Sequence, residues 1–254
     1  MALEVSIVIP TYNLTGMLRN CLLSIKEAGG PEKEIILVDD GSAPPYQAYL
    51  ELLEADGLCD EVVYHSENRG FAVACNSGIG AARGREIVLL NNDTWVHPGW
   101  LEALLARAAE SAAIGLATSK CIYPNGRVWL TGLCFKPFRK RLQGLPADSP
   151  EANRETDLAA AAACSLLIKR RVLEETGLFD ESFYNGWEDV DFCFRARSAG
   201  YRVVYCPRSV VTHYESWCRS RSPASVARIK HNRALLAAKW SEDSFLYEDP
   251  PCPP

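Results

Sequence analysis

No apolar stretch in the 254-residue chain approaches the length of a membrane span. The longest candidate, Leu158 to Ile168, is half alanine and is interrupted by Cys164 and Ser165. The amino terminus, Met1-Ala2-Leu3-Glu4-Val5, lacks the basic segment of a secretion signal and runs directly into a strand-like sequence. Basic residues are not in excess: 27 Lys and Arg stand against 32 Asp and Glu, a formal net charge of −5. That balance excludes non-specific nucleic-acid binding, which needs a basic surface. Cysteine is plentiful, but none of the ten forms the C-x-x-C pair of zinc and redox sites. Spread from Cys21 to Cys252, they are expected to be buried, reduced thiols of a cytosolic protein.

Two nucleotide-binding signatures are missing as well. No G-x-x-x-x-G-K-[ST] occurs, so the chain is not a P-loop enzyme. The run Gly78-Ile79-Gly80-Ala81-Ala82-Arg83-Gly84 only loosely matches a dinucleotide fingerprint, because it does not directly follow a strand. Its glycines are expected to let a helix pack closely and end. The place of a Rossmann glycine loop, after the first strand, is taken by Pro10-Thr11-Tyr12-Asn13.

What the chain does contain is strand and helix in alternation. Val5–Ile9, Glu34–Val38, Glu61–Tyr64 and Ile87–Leu90 read as buried strands. Between them, residues 14–28, 46–55 and 71–83 have helical spacing, and Pro98–Glu110 continues it. This order predicts an α/β fold with a mostly parallel sheet and crossover helices. Each strand stops at polar residues: Thr11 to Asn13, Asp39-Asp40-Gly41-Ser42, Asn68-Arg69-Gly70 and Asn91-Asn92-Asp93. Right-handed crossovers bring these tips to one sheet edge, where open α/β sheets bind ligands. One such tip is an ordinary Asx turn; four converging tips make a binding site.

The second half is less regular. Tyr123 to Pro150 reads as a short strand near Val128–Leu130 and then a long basic loop with Lys136, Arg139, Lys140 and Arg141. That loop is either a solvated face or one turned to an anion. Ala159–Ile168 reads as a strand, although its alanines suit a helix equally. Arg171–Thr176 is a short helix, 201–206 a strand, and Ser222 to about Trp240 a helix. From Glu188 to Ser198 the pattern is helical, and five acids lie between Asp180 and Asp191 among Phe183, Tyr184 and Trp187. Acids in a first turn complement the helix dipole without any catalytic role. Acids interleaved with aromatics also suit a sugar-binding wall that contains a base. His213 ends a short apolar segment and reads as a structural residue or as a ligand. The tail, Asp249 to Pro254, has the composition of a linker.

Taken together, Ser6-Ile7-Val8-Ile9-Pro10-Thr11-Tyr12-Asn13, Val38-Asp39-Asp40-Gly41-Ser42, Asn68-Arg69-Gly70-Phe71, Asn91-Asn92-Asp93 and Trp187-Glu188-Asp189 resemble the family 2 glycosyltransferases. The likeness is to the rhamnosyl- and galactofuranosyltransferase-like branch, and it covers residues 4–215. It implies a GT-A fold: a Rossmann-like sheet flanked by helices, with a C-terminal helical extension. Residues 1–118 would be the nucleotide-sugar half, 119–215 the acceptor and catalytic half, and 216–254 a helix with a Pro-rich tail. The implied activity is inverting transfer from a UDP- or dTDP-linked sugar to a glycan or lipid-linked glycan, in bacterial surface polysaccharide synthesis.

By position, the resemblance gives Pro10, Thr11, Tyr12, Asn13 and Asp39 or Asp40 to the base and ribose. Asn68, Arg69, Gly70 and Asn76 would border the nucleotide-sugar, with Asn91 and Asn92 at the donor site. Asp93 and His213 would hold Mn²⁺ or Mg²⁺. Asp189 would be the catalytic base with Glu188 beside it, and Trp187 and Tyr184 would meet the acceptor. Asn91 departs from the family pattern, where an aspartate is common. A cytoplasmic location is implied; peripheral membrane association and further domains past Pro254 are left open. Two alternatives remain. One is an inactive nucleotide-sugar or glycan-binding module of a larger protein. The other is a sugar-phosphate nucleotidyltransferase, but Thr11-Tyr12-Asn13 offers none of its glycine-rich basic loop.

Overall fold

The computed structural model describes residues 3–13, 16–136, 138–214, 223–241 and 244–248. The expectations for Leu14, Ser222 and the tail from Asp249 to Pro254 lie outside the described residues.

The chain begins with β1 (Val5–Thr11), in which Ile7 and Ile9 face one side of the sheet and Val8 the other, all fully buried. This is the two-residue period of a strand covered on both faces. Helix α1 (Gly16–Ala28) lays Leu18, Cys21, Leu22 and Ile25 on the Ile7 side. Next come β2 (Lys33–Asp39), α2 (Pro44–Ala55), β3 (Glu61–Tyr64), α3 (Phe71–Ala81) and β4 (Glu86–Leu90). β1 pairs in parallel with both β2 and β4, and β2 with β3. Helix α3 packs on the Val8 side, and Gly78 is the reason it can. A Cβ there would lie 2.3 Å from Val8 Cγ1 and 2.9 Å from Val38 Cγ2. The close-packing role expected of these glycines therefore holds at Gly78.

After β4 come β5 (Thr94–Val96), α4 (Trp100–Ala109), β6 (Ile114–Ile122), β7 (Val128–Leu130), β8 (Leu133–Phe135), β9 (Phe138–Lys140) and β10 (Thr156–Asp157). The chain continues through β11 (Ser165–Lys169), α5 (Arg170–Thr176), α6 (Glu188–Ser198), β12 (Arg202–His213) and α7 (Pro223–Lys239). Among the described residues the main sheet has ten strands: eight in the order β10-β12-β6-β11-β4-β1-β2-β3, with β5 paired to β12 and β7 to β6 beside that path. Its first half is parallel. Its second half is mixed, because β11 runs antiparallel to both β4 and β6. Two apolar layers cover the sheet, α1, α2 and α4 on one face and α3 and α6 on the other.

Three expectations need correction. The nine-residue strand β6 lies where the sequence reads as no element, since Thr118-Ser119-Lys120 interrupts its apolar pattern. Those polar side chains are buried yet satisfied. Ser119 Oγ lies 2.7 Å from Ser165 Oγ and 2.8 Å from Ser209 Oγ, and Lys120 Nζ donates to Ala147 O and Asn153 Oδ1. The strand expected over 159–168 is confined to Ser165–Lys169. Ala159, Ala160 and Ala161 are fully buried outside any strand, and their small size lets α6 approach. There Cys193 Sγ sits 3.4 Å from Ala161 N. Finally, the basic loop contains an ordered hairpin, β8–β9.

The eight described cysteines are free, and all but Cys134 are buried. Burial pushes the Cys21 and Cys193 thiols up to about 12, so neither is a nucleophile near neutral pH. No helix among the described residues is long and apolar enough to cross a membrane.

Candidate active site

The carboxyl ends of β1, β2 and β4 meet as the parallel pairing requires. At β1, Asn13 adopts φ 50°, its N–H donates to Ser42 Oγ at 2.8 Å, and its Oδ1 accepts from Ala43 N at 2.9 Å. Thr11 Oγ1 accepts from Asn92 Nδ2 at 3.0 Å, tying the first tip to the fourth. Tyr12 is exposed beside them.

The two aspartates at the carboxyl end of β2 do different work. Asp40 Oδ1 accepts from Arg69 N at 2.9 Å and meets His65 Nδ1 at 2.9 Å, while its Oδ2 accepts from Gly70 N at 2.8 Å. It is a buried bracket for the third tip. Asp39 holds longer bonds only, from Ser42 N at 3.3 Å and Gln47 Nε2 at 3.1 Å. Gly70 has φ 92°, and a Cβ on it would lie 2.8 Å from the Tyr184 ring, so the tip demands glycine twice over.

Asp93 and His213 are 120 residues apart in sequence, yet the sheet delivers them together. β5 pairs with β12 in the register Thr94↔His213, which sets His213 beside the residue preceding Thr94. Tyr214 N donates to Asp93 O at 3.0 Å, extending the ladder. As a result His213 Nε2 lies 3.2 Å from Asp93 Oδ1, and both residues are buried. The Asn91 amide lies 3.2 Å from the same nitrogen. Which way that amide points decides whether Asn91 offers an N–H or an oxygen. His213 Nδ1 is buried without a hydrogen-bond partner among the described residues. A carboxylate, an imidazole and an amide oxygen suit Mn²⁺ or Mg²⁺ when substrate phosphates and water complete the sphere. Among the described residues no three His, Cys, Asp or Glu side chains group into a metal site, so the protein's own share would be partial.

Asp189 stands in the first turn of α6. Its Oδ2 accepts from Ala163 N at 3.2 Å and its Oδ1 from Val190 N at 2.8 Å. The neighbouring residue Cys164 accepts Asn91 N at 3.0 Å. Two consecutive residues, Ala163 and Cys164, thus join Asp189 to the β4 tip. Hydrogen bonding to Cys121 and burial push the Cys164 thiol up, and the Asp189 and Asp93 charges add to that.

The turn before α6 is held in an uncommon shape. Asn185, Gly186 and Trp187 have φ of 54°, 130° and 76°. Such backbone persists only where surroundings over-determine it. Here Phe71 N donates to Asn185 Oδ1 at 2.7 Å, and Asn232 of α7 donates to Tyr184 O and Gly186 O at 3.0 and 2.7 Å. Asp191, fully buried, accepts from Arg195 Nε, Lys239 Nζ and Trp240 Nε1, which fastens α7 to α6. Burial alone would raise the Asp180 carboxyl, but hydrogen bonds from Lys239 and Ser182 outweigh it and hold it at about 2.

Three expected site residues are placed differently. Asn76 exchanges hydrogen bonds with both Phe179 N and Phe179 O at 2.9 Å and donates to Glu181 Oε1, so it braces the segment that leads to α6. Tyr184 turns its hydroxyl to Asn68 Oδ1 and its ring to Gly70, so it packs on the third tip. Glu188 is buried and accepts from Gly186 N at 2.5 Å, so it shapes the turn. Trp187 stays at the surface of the site, its ring 4.8 Å from Phe138.

The family model for glycosyl transferase family 2 matches residues 6–177. The chain belongs to that family. The pre-mycofactocin glycosyltransferase of Mycobacterium tuberculosis is 28% identical to this family member over 215 residues, 83% of this chain and 42% of that protein. The succinoglycan biosynthesis protein ExoO of Rhizobium meliloti is 28% identical over 251 residues, 96% of this chain and 68% of that protein. Elsewhere the span is shorter, 18% of the O-antigen biosynthesis protein RfbC of Myxococcus xanthus. The mannosyltransferase PcManGT of Pyrobaculum calidifontis, solved with GDP-Man and Mn²⁺, aligns with TM-score 0.71 at 20% identity, over 100% of this chain and 67% of that one. GalNAc-T7, solved with UDP, GalNAc and Mn²⁺, aligns with TM-score 0.73 at 19% identity, over 95% of this chain and 49% of that one. These likenesses establish the GT-A fold of this family 2 chain. Its matched segment ends at Gly177, so Asp189, His213 and α7 all lie beyond it.

Proposed function

We propose that this chain transfers a sugar from a nucleoside-diphosphate sugar to a hydroxyl of a glycan or lipid-linked glycan acceptor, with inversion at the sugar carbon. The observation that carries the reading is the bridge of Ala163 and Cys164. It sets one partly exposed carboxylate, Asp189, beside the Asn91–Asp93 tip. Inversion needs a single displacement, hence one base and no enzyme nucleophile. Asp189 takes the acceptor proton while the acceptor oxygen attacks the sugar carbon. The bond to the diphosphate breaks with its electron pair leaving on the phosphate oxygen. Asp93 and His213 would hold the divalent ion, with Asn91 offering its amide oxygen. When bound, such an ion supplies Lewis-acid neutralisation of phosphate charge.

The base and ribose fall to Tyr12, Asn13 and Asp39 at the first two tips, because Asp40 is fully committed to its bracket. Asp39→Ala is expected to weaken nucleoside-diphosphate affinity about tenfold with little change in melting temperature. Asp40→Ala strands the buried Gly70 N–H and the half-buried Arg69 N–H and is expected to lower the melting temperature by several degrees. Calorimetric titration and thermal melting of both variants separate the two. Unchanged nucleotide affinity in Asp39→Ala would move the base away from this tip.

The whole reading is tested by thermal shift against a panel of nucleoside-diphosphate sugars, UDP- and dTDP-linked rhamnose and galactofuranose among them, with and without Mn²⁺. A ligand that binds only the native state raises the melting temperature by mass action. A shift with one donor, followed by release of its nucleoside diphosphate only when acceptor is present, supports transfer. A shift without any turnover favours the inactive binding module.

A further inference from the structure

The basic hairpin β8–β9 is not accounted for by the site as described, and its register shows where it points. Leu133 pairs with Lys140, Cys134 with Arg139 and Phe135 with Phe138. Residues two apart on a strand share a face, so Phe138 and Lys140 lie together and Arg139 lies opposite. Phe138 stacks on Trp187, in the turn that leads to Asp189, with ring centroids 4.8 Å apart. Lys140 places its Nζ 4.0 Å from the centroid of the Trp129 ring. Trp129 in turn lies 4.1 Å from the His213 ring, centroid to centroid. One face of β9 therefore reaches from the catalytic turn to the residue that faces Asp93. The placement of Trp129 follows from the sheet. β7 pairs with β6, and β6 pairs with β12 up to Thr212, the residue before His213.

Trp129 carries a second sign. Its indole nitrogen can only donate, and it is buried without a hydrogen-bond partner among the described residues, on a side chain 7% exposed. A buried unsatisfied donor is costly in a folded protein and calls for an explanation. The ammonium over the ring and the N–H on its rim offer one charged and one neutral hydrogen-bond donor around the indole that packs on His213. Oxygen-rich anions fit such a pair.

We propose that Lys140 is a further catalytic residue, a second cation for the diphosphate of the donor sugar, with Trp129 Nε1–H as a neutral donor to the same group. The inference rests on the transferase reading above and deepens it. In the transfer, the bond between sugar carbon and phosphate oxygen breaks, and its electron pair stays on that oxygen. The acceptor proton goes to Asp189. Lys140 keeps its own proton and donates a hydrogen bond to the diphosphate as its charge grows, so it binds the leaving group more tightly than the intact donor. Donors preorganised toward developing charge lower barriers in this way. The cation–π contact holds the flexible lysine stem near its target between turnovers.

The test is titration of nucleoside, nucleoside monophosphate and nucleoside diphosphate into wild type, Lys140→Met and Lys140→Arg, beside steady-state transfer. Methionine keeps the apolar stem on the Trp129 ring and removes the charge. Lys140→Met is expected to weaken the diphosphate about tenfold and leave the nucleoside unchanged. It should lower kcat more than it raises KM for the donor. Lys140→Arg should restore most of both. Trp129→Phe keeps the ring and removes the N–H, and should show a smaller loss confined to the diphosphate. Equal diphosphate affinity in wild type and Lys140→Met overturns this role and leaves the transferase reading standing. A Lys140→Met loss equal for nucleoside and diphosphate also overturns it, as indirect damage. Failure of wild type to bind any nucleoside diphosphate overturns both.

Discussion

Asp189→Asn is expected to bind donor about as well as wild type and to lower the transfer rate by ~10²-fold or more. The substitution keeps the shape of the side chain and removes its capacity to take a proton. Asp189 is the acid in this turn whose position allows that role. Asp191 is fully buried among Arg195, Lys239 and Trp240, and Glu188 is buried against Gly186 N. The Asp189 carboxylate is instead partly exposed and aimed by two backbone N–H groups, from Ala163 and Val190. An asparagine can accept only one of those bonds well, so a loss of about 1 kcal/mol in stability is expected beside the kinetic effect. Thermal melting separates the two. Glu188→Gln should show the opposite balance, with a lower melting temperature and a smaller kinetic change. If Glu188→Gln abolishes transfer while Asp189→Asn works at the wild-type rate, the base is Glu188.

The parallel half of the molecule was legible because its signals are local. Ile7, Ile36, Val88 and their neighbours form unbroken apolar runs, and polar tips follow each run at the edge where ligands bind. The mixed half was less legible because its pattern is set by partners far along the chain. Thr118, Ser119 and Lys120 look like a loop until Ser165, Ser209 and Asn153 arrive to satisfy them. The alanines from Ala159 to Ala161 look like a strand or helix, and are neither, because their task is to admit α6.

The site divides the same way. Residues at the tips were visible from position alone, but which polar atoms are already spent was not. Asn76, Asp40 and Glu188 are chemically suited to a ligand, but Asn76 and Asp40 bind backbone groups distant in sequence and Glu188 the N–H of Gly186, two residues before it. Ala163 and Cys164 carry no side-chain chemistry that would single them out. Their importance lies in a backbone N–H and a backbone C=O, which leave no mark on composition.

Asp93→Ala is expected to abolish any Mn²⁺-dependent rise in melting temperature and to cut transfer by ~10²-fold or more. The side chain is buried with its Oδ1 3.2 Å from His213 Nε2, so its loss removes the only carboxylate recorded at that nitrogen among the described residues. The backbone bond from Tyr214 N to Asp93 O survives the change, so the β5–β12 ladder and the position of His213 should persist. His213→Ala should give the same loss of the Mn²⁺-dependent shift, because each residue holds the ion through the other's geometry. Asn91→Asp tests the departure from the family pattern directly. A carboxylate replaces the amide 3.2 Å from the imidazole, and added negative charge should tighten Mn²⁺ in the shift assay. Full transfer by wild type in excess chelator would show that the diphosphate is neutralised without a metal. Lys140, over the Trp129 ring, would then be left to do it alone. A Mn²⁺ shift that survives in both Asp93→Ala and His213→Ala would place the ion elsewhere. Loss in both, with unchanged melting in the absence of metal, assigns it to this pair.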